Sequence, residues 1–569
     1  MPRRRRHGGA PLNAAYLALG VFAAFAFGYR YYSRFLSVKV FGLARDEPVP
    51  AVEQRDDVDY VPTRMHVLWG HHYTSIAGAA PIVGPALAVI WGWLPALLWV
   101  TIGTVFMGAT HDFAALVVSL RSKGRSIGDV AGRVINPRTR TLFLLIIVFL
   151  LWIVLAVFAY VIATLFVETP GSIFPINVQI AVAVALGWLV YRRGVGLLWP
   201  SLVGYAALLV SIFFGDAFAA AFPWITQITV TQWVWLLLIY AYVASVLPVW
   251  LLLQPRDYLN AHQLVTGLAL LTLGLLVLRP EVQAPMIRLW PPGAPPIVPF
   301  LFITIACGAI SGFHGLVASG TTSKQVGCMT DARPIGYGGM LGEGSLGLLA
   351  VLASTAGFAS AGEWATHYAS WGAMAGLGAK LGAFVIGGGR FIAALGVPAE
   401  VARVFIAVMV VAFAATTLDT GARILRLLIS ELGTAYGVPA LENRYLAGGI
   451  GVGLALVLAV TQAGGKGGLI LWPLFGTTNQ LVAGITLLVV SIWLRRQGRP
   501  VAYTLVPMIL VAATTVAAMV GEVRSYFLAS SWLLAVMGTL ILACDVWVML
   551  EGTRLLLGER PVTRPPPEP

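Results

Sequence analysis

The stretch WGHHYTSIAGAAPIVGP, Trp69–Pro85, lies inside an apolar run long enough to cross a bilayer. It nevertheless holds His71 and His72 side by side, Thr74-Ser75, three glycines, Pro81 and Pro85. Proline removes a backbone donor and glycine weakens a helix, so Gly78–Pro85 is expected to be broken helix. Within hydrocarbon, a broken backbone survives only where protein buries it or it lines a cavity. Paired breaks of this kind build the sites of secondary transporters.

The surrounding composition supports a membrane setting. Of 569 residues, 58% are hydrophobic and 11% charged, against about 25% charged in a soluble domain. The chain therefore reads as an all-α polytopic membrane protein. Its net charge of +13 resides in Lys and Arg between apolar runs, where they set topology and meet anionic lipid, not nucleic acid. Three widely spaced cysteines (Cys307, Cys328, Cys544) give no zinc-type spacing and no disulfide framework. The opening MPRRRRH and the apolar run from Leu12 imitate a signal peptide, but without a small-residue cleavage site they read as a retained helix.

Hydropathy suggests about fifteen spans. The loop 121–140 carries Arg121, Lys123, Arg125, Arg133, Arg138 and Arg140 against one acid, Asp129, and is assigned to the cytoplasm. The same side then receives Arg192-Arg193, Arg256, Lys324, Arg333, Arg423, Arg426 and Arg495-Arg496; the Arg3–Arg6 run alone disagrees. Residues 1–66 form an N-terminal helix and charged loop, 444–550 additional C-terminal helices and 551–569 a Pro-rich tail. Parity divides the centre into two inverted five-helix repeats, 67–221 and 231–420, the second opening on a helix interrupted by Pro248 and Pro255. The Gly-rich stretch 358–398 is expected at the interface or re-entering the membrane, and a span is expected at 399–420.

Ionisable groups inside spans are expensive and functional by default. Here they are His71, His72, His111, Asp112, His314, Glu343 and Asp419. The spans 67–90 and 94–118 turn near residue 92, which sets His71-His72 level with residues 112–113 and lets either histidine face His111 or Asp112. One shared network at one depth is expected. Proton coupling, a divalent metal on His72, His111 and Asp112, and a structural His–Asp lock are the three chemistries open to it. A sodium site could form from Ser319, Thr321 and Thr322 with the carbonyls near Ala77 and Gly78. Thr74, Ser75, Gly78, Gly84, Thr416 and Thr417 are the candidate substrate-binding residues, half-helix N-termini near Gly78–Gly84 suiting a carboxylate or zwitterion. Gln254–Tyr258 reads as a cytoplasmic hinge with an Arg–Asp pair, and Trp472–Gln480 as a polar break used for packing. Gly465-Lys466-Gly467 is an incomplete P-loop fragment and is dismissed.

Several of these stretches together resemble the carbon starvation protein A (CstA) family of membrane transporters. They are RFLSVKVFGL (34–43), DVDYVPT (57–63), GHHYTSIAGAAPIVGP (70–85), GATHDF (108–113), QPRDYLN (254–260), SGFHGLVASGTTSKQ (311–325), ATTLDT (415–420) and WPLFGTTNQL (472–481). The resemblance runs from Tyr32 to about Asn479 and departs at Thr74-Ser75 and Gly315. It implies a multi-pass inner-membrane importer of short peptides or pyruvate under carbon starvation, not an enzyme. It also implies a fold like the amino acid–polyamine–organocation group. A membrane-embedded metal-dependent enzyme is the alternative from a different class, but neither HExxH nor a nucleophile elbow is present.

Overall fold

The computed structural model describes residues 12–460 and 467–558. The Arg3–Arg6 run, the Gly465-Lys466 fragment and the tail beyond residue 558 lie outside them. Among the described residues the regular elements are all helices, joined by loops, with isolated bridges such as Thr63 to Val326. Ten helices among the described residues are long and apolar enough to cross a membrane, or up to twelve when each bent pair is one span. The expected fifteen is not reached because hydropathy counts apolar stretches that do not form full-length helices. Val230–Val246 and Arg444–Val460 are short, and the 297–320 run is two short helices, Ile297–Thr304 and Gly312–Gly320.

The first broken span consists of Met65–Ile76 and Ala80–Trp91, bent by 48°. The break is narrower than the sequence suggested: only Ala77–Ala79 leave the helix, and Gly78–Pro85 is helical from Ala80 on. Pro81 falls in the first turn, where its missing N–H would have had no helical partner anyway. Gly92, at φ +104°, reverses the chain into the next span, Trp93–Arg121; a Cβ there would meet the Met286 carbonyl at 2.5 Å.

A second broken span, Ile297–Thr304 and Gly312–Gly320, runs antiparallel to the first. Near Trp91, the Arg288 amide donates to the Trp91 carbonyl (2.8 Å) and the Trp91 indole to the Pro295 carbonyl (3.3 Å). At the other end, the Thr63 amide donates to the Gln325 carbonyl at 2.9 Å. Between them the spans touch at Gly84, where a Cβ would lie 2.3 Å from the Thr304 carbonyl.

Backbone freed at 305–311 is satisfied by side chains of neighbouring spans, as hydrocarbon requires. Trp99 donates to the Ile305 carbonyl (3.3 Å), Thr104 to Gly308 (3.1 Å) and Gln480 to Ile310 (3.3 Å). Asn479 accepts from the Phe313 amide (2.8 Å) and donates to Ser311 Oγ (2.9 Å). Trp472–Gln480 is thus not a break itself but part of the continuous helix Gly467–Arg496, and its polar groups mend the break next door.

Two other expectations change. Gln254–Tyr258 is not an exposed hinge but the first turns of the helix Leu253–Leu278, with Arg256 only 1% exposed. The chain does break near Pro248, between Val246 and Leu253. The span expected at 399–420 continues as one helix, Ala399–Tyr436, and the preceding stretch 358–398 contains the helices Ala361–His367 and Leu377–Ala393. Arg423 and Arg426 extend that helix because both find Asp59 as a partner.

Candidate functional site

The expected single network is two, with His72 between them. The first gathers around Arg256. Its guanidinium pairs with Asp419, reaches Asp257 Oδ1 at 3.2 Å and donates to the Tyr240 hydroxyl at 2.7 Å; Tyr240 in turn donates to Asp419 at 2.9 Å. His71 Nδ1 lies 2.5 Å from Asp257 Oδ2. The expected partnership of His71 with His111 or Asp112 therefore does not form, because the Leu253–Leu278 helix brings a carboxylate to it first. Asn260 donates to Thr416 Oγ1 at 2.6 Å, extending the cluster along Ala399–Tyr436.

The second network is a linear chain of alternating imidazole and carboxylate. His111 Nδ1 is 2.7 Å from Asp112 Oδ1, Asp112 Oδ2 is 3.0 Å from His314 Nδ1, and His314 Nε2 is 2.9 Å from Glu343 Oε2. All four side chains are fully buried. A π-bulge at Thr104–Gly108 immediately precedes His111-Asp112, and another at Arg333–Tyr337 precedes the Glu343 helix. Such bulges re-aim the following turn and occur often at functional sites. His314 follows directly after the second backbone break, so movement of that break would move the centre of the chain.

His72, fully buried, bonds through Nδ1 to Thr322 Oγ1 at 2.9 Å. The metal set His72, His111 and Asp112 is not brought together through these bonds: Nδ1 of His72 is taken by Thr322 and Nδ1 of His111 by Asp112. Among the described residues, the group whose ligating atoms all lie within 4.8 Å of one another is Cys307, His314 and Glu343. Cys307 was passed over because it sits alone in an apolar stretch, with no spacing to mark it.

The oxygens considered for sodium have protein partners. Ser319 Oγ donates to the Gly315 carbonyl (2.7 Å) and accepts from the Ile127 amide (3.1 Å), and Thr321 donates to the Val317 carbonyl at 3.1 Å. Gly78 instead abuts Thr417 and Phe158. Among the described residues no hydrogen bond joins Ser319, Thr321 or Thr322 to Ala77 or Gly78. Of the candidate substrate residues, Thr74 bonds back to the Gly70 carbonyl at 2.9 Å. Thr417 donates to the Ser75 carbonyl and Thr420 to Ser75 Oγ, both at 3.3 Å, which ties the first break to Ala399–Tyr436.

A cavity of about 700 Å³ opens between the two broken spans on the face opposite the basic loops. Ala80 and Gly84 line it from the first span, Phe300, Thr304 and Cys307 from the second, and Trp371, Trp472, Phe475 and Tyr526 add aromatic walls. Cys307 therefore touches both the cavity and the His314–Glu343 end of the chain. On the basic face, Asp59 pairs with Arg423 and with Arg426 (3.3 Å), and the Val61 amide donates to the Lys324 carbonyl at 3.1 Å.

Fold and site together define a multi-pass helical membrane protein in which two antiparallel broken spans enclose a cavity and a buried charged chain. The profile of the family described as carbon starvation protein CstA matches residues 13–365 and 359–518, and the chain belongs to that family. The peptide transporter CstA of Campylobacter jejuni is 32% identical over 572 residues, covering 91% of this chain and 81% of that protein. The peptide transporter CstA of Bacillus subtilis is 33% identical, covering 84% and 85%. The pyruvate/proton symporter BtsT of Escherichia coli is 38% identical over 357 residues, 61% of this chain and 50% of that protein. A solved manganese transporter of Eremococcus coleocola superposes with a TM-score of 0.48 at 10% identity, covering 88% of this chain and 99% of that one; it says nothing of what this chain carries.

Proposed function

We propose that this chain is a proton-coupled secondary transporter that imports short peptides across the cell inner membrane when carbon is scarce, without a chemical step on its cargo. The observation that carries the reading is the position of Cys307, which lines the cavity while standing beside the His314–Glu343 pair. Cargo in the cavity and protons on the chain thus meet at one backbone break.

The chain can move a proton because each imidazole bridges or abuts a carboxylate within hydrogen-bond distance. A proton arriving at Glu343 neutralises the carboxylate on one side of His314 and leaves Asp112 as its sole ionised partner. That weakens the hold on the helix Gly312–Gly320 and frees it to shift relative to the Glu343 helix. Burial makes the change in charge matter, since desolvated charges are costly unless paired. Two inverted repeats, the second carrying the break at 305–311, would let the cavity close as the Asp59 contacts on the basic face release.

A pyruvate/proton symporter is the second reading, favoured by the family likeness to a protein of that name and by the same cavity's capacity for a small carboxylate. Purified protein in liposomes decides between them. Labelled dipeptide should accumulate under an inwardly directed proton gradient and not under a sodium gradient alone, and Glu343→Gln should abolish accumulation. Accumulation of pyruvate in place of dipeptide would select the second reading; a Glu343→Gln variant as active as wild type would refute the assigned coupling route.

A further inference from the structure

Among the described residues, two charged side chains line the cavity, and they sit on different helices: Lys380 on Leu377–Ala393 and Glu522 on Ala502–Leu528. They are 7% and 9% exposed, and no ion pair joins them to each other or to any other described residue. Lys380 Nζ lies 5.7 Å from the centre of the Trp472 ring, a cation–π contact that steadies the ammonium without neutralising it. Glu522 takes its hydrogen bonds through Oε2, from Thr477 at 2.8 Å and Tyr526 at 3.5 Å. A buried lysine and glutamate without ion partners hold their charges only at a cost, and that cost falls when a ligand brings the complementary charges.

We infer that Lys380 and Glu522 form the two poles of a binding site for zwitterions, Lys380 taking the ligand carboxylate and Glu522 its ammonium. The inference rests on the transport reading and assigns residues to its cargo. The walls between the poles, Trp371, Phe475 and Tyr526, are apolar or aromatic and accept side chains of varied shape. The volume falls within the range of about 300–1,000 Å³ usual for small-molecule sites. Selectivity then follows from charge: a short peptide engages both poles, whereas pyruvate, having no ammonium, engages Lys380 alone. The proton chain stays chemically separate from this pair, meeting the cavity only through Cys307.

The test is equilibrium binding to the full chain purified in detergent, with alanyl-alanine, its N-acetyl derivative and pyruvate as probes. Lys380→Gln should raise the Kd of all three about tenfold or more. Glu522→Gln should raise the Kd of alanyl-alanine by a similar factor and leave those of N-acetyl-alanyl-alanine and pyruvate unchanged, a split that a merely structural glutamate would not produce. Lys380→Arg and Glu522→Asp, which keep the charges, should recover most of the affinity and confirm that the fold is intact. Absence of alanyl-alanine binding to the wild type, or equal affinities in wild type and Lys380→Gln, would overturn the assignment even if proton-driven uptake persists. Normal binding with no uptake would leave the two-pole site supported and strike at the transport reading instead.

Discussion

Arg256 holds together the larger of the two buried networks, and its removal is the sharpest test at the scale of a single residue. Arg256→Met would leave Asp257 and Asp419 buried with too little positive charge and should cost about 3–5 kcal/mol, measurable as a lower Tm. Arg256→Met with Asp419→Leu should recover much of the loss, because replacing both partners removes the unpaired charge. Asp59 permits a prediction about pH. Burial alone would raise its carboxyl, but Arg423, Arg426 and Lys324 outweigh that and hold it well below the carboxylate range. A depressed carboxyl contributes stability that is present above its ordinary value of about 4 and lost as pH falls through its folded value. The Asp59 contacts on the basic face should therefore be constant from about pH 5 to 8, with amide protection factors in residues 54–63 unchanged; Asp59→Asn should lower those protection factors across the whole range. All seven charged residues singled out from the sequence are buried, since charge within an apolar run marks itself. Their pairing was less visible. His71 meets Asp257 across 186 positions of sequence, and Arg256 looked cytoplasmic because Gln254–Tyr258 is locally polar and contains Pro255.

Among the elements, the two broken spans matter most. Gly84 touches the Thr304 carbonyl, an approach no side chain allows, so Gly84→Ala should force the spans apart and cost about 1–3 kcal/mol in thermal unfolding. Asn479→Ala removes the acceptor of the Phe313 amide and should cost about 1–3 kcal/mol by leaving that donor buried and unpaired. Glycine, proline and histidine in one apolar run made the first break legible. The second was read as a full span because the mean hydropathy of 297–320 stays high despite Pro299, Ser311 and His314; its break is held by Trp99, Thr104, Asn479 and Gln480, which stand far away in sequence. The first break was overdrawn for a related reason: Pro81 signals a helix start as readily as an interruption.

For the whole molecule, the class and the basic face were readable from composition and charge, while the number of spans was not. Hydropathy records how apolar a stretch is, and Val230–Val246 or Ile297–Thr304 satisfy it without the length to cross. The cavity was equally out of reach, because Lys380, Trp472 and Glu522 belong to helices that only packing brings together. Its opening opposite the basic loops, with Asp59 paired to Arg423 and Arg426 on the other face, is what the proposed transport reading expects at one end of an alternating-access cycle. A membrane-impermeant thiol reagent applied from the cavity side should therefore reach Ala375→Cys, and saturating substrate should slow the reaction. The most direct measurement of the central claim records internal pH and labelled alanyl-alanine together in proteoliposomes under an outside-acid gradient. The expected result is acidification that rises with each increment of peptide taken up and disappears in Glu343→Gln. Peptide uptake with no accompanying proton entry, or an unchanged ratio in that variant, would contradict it.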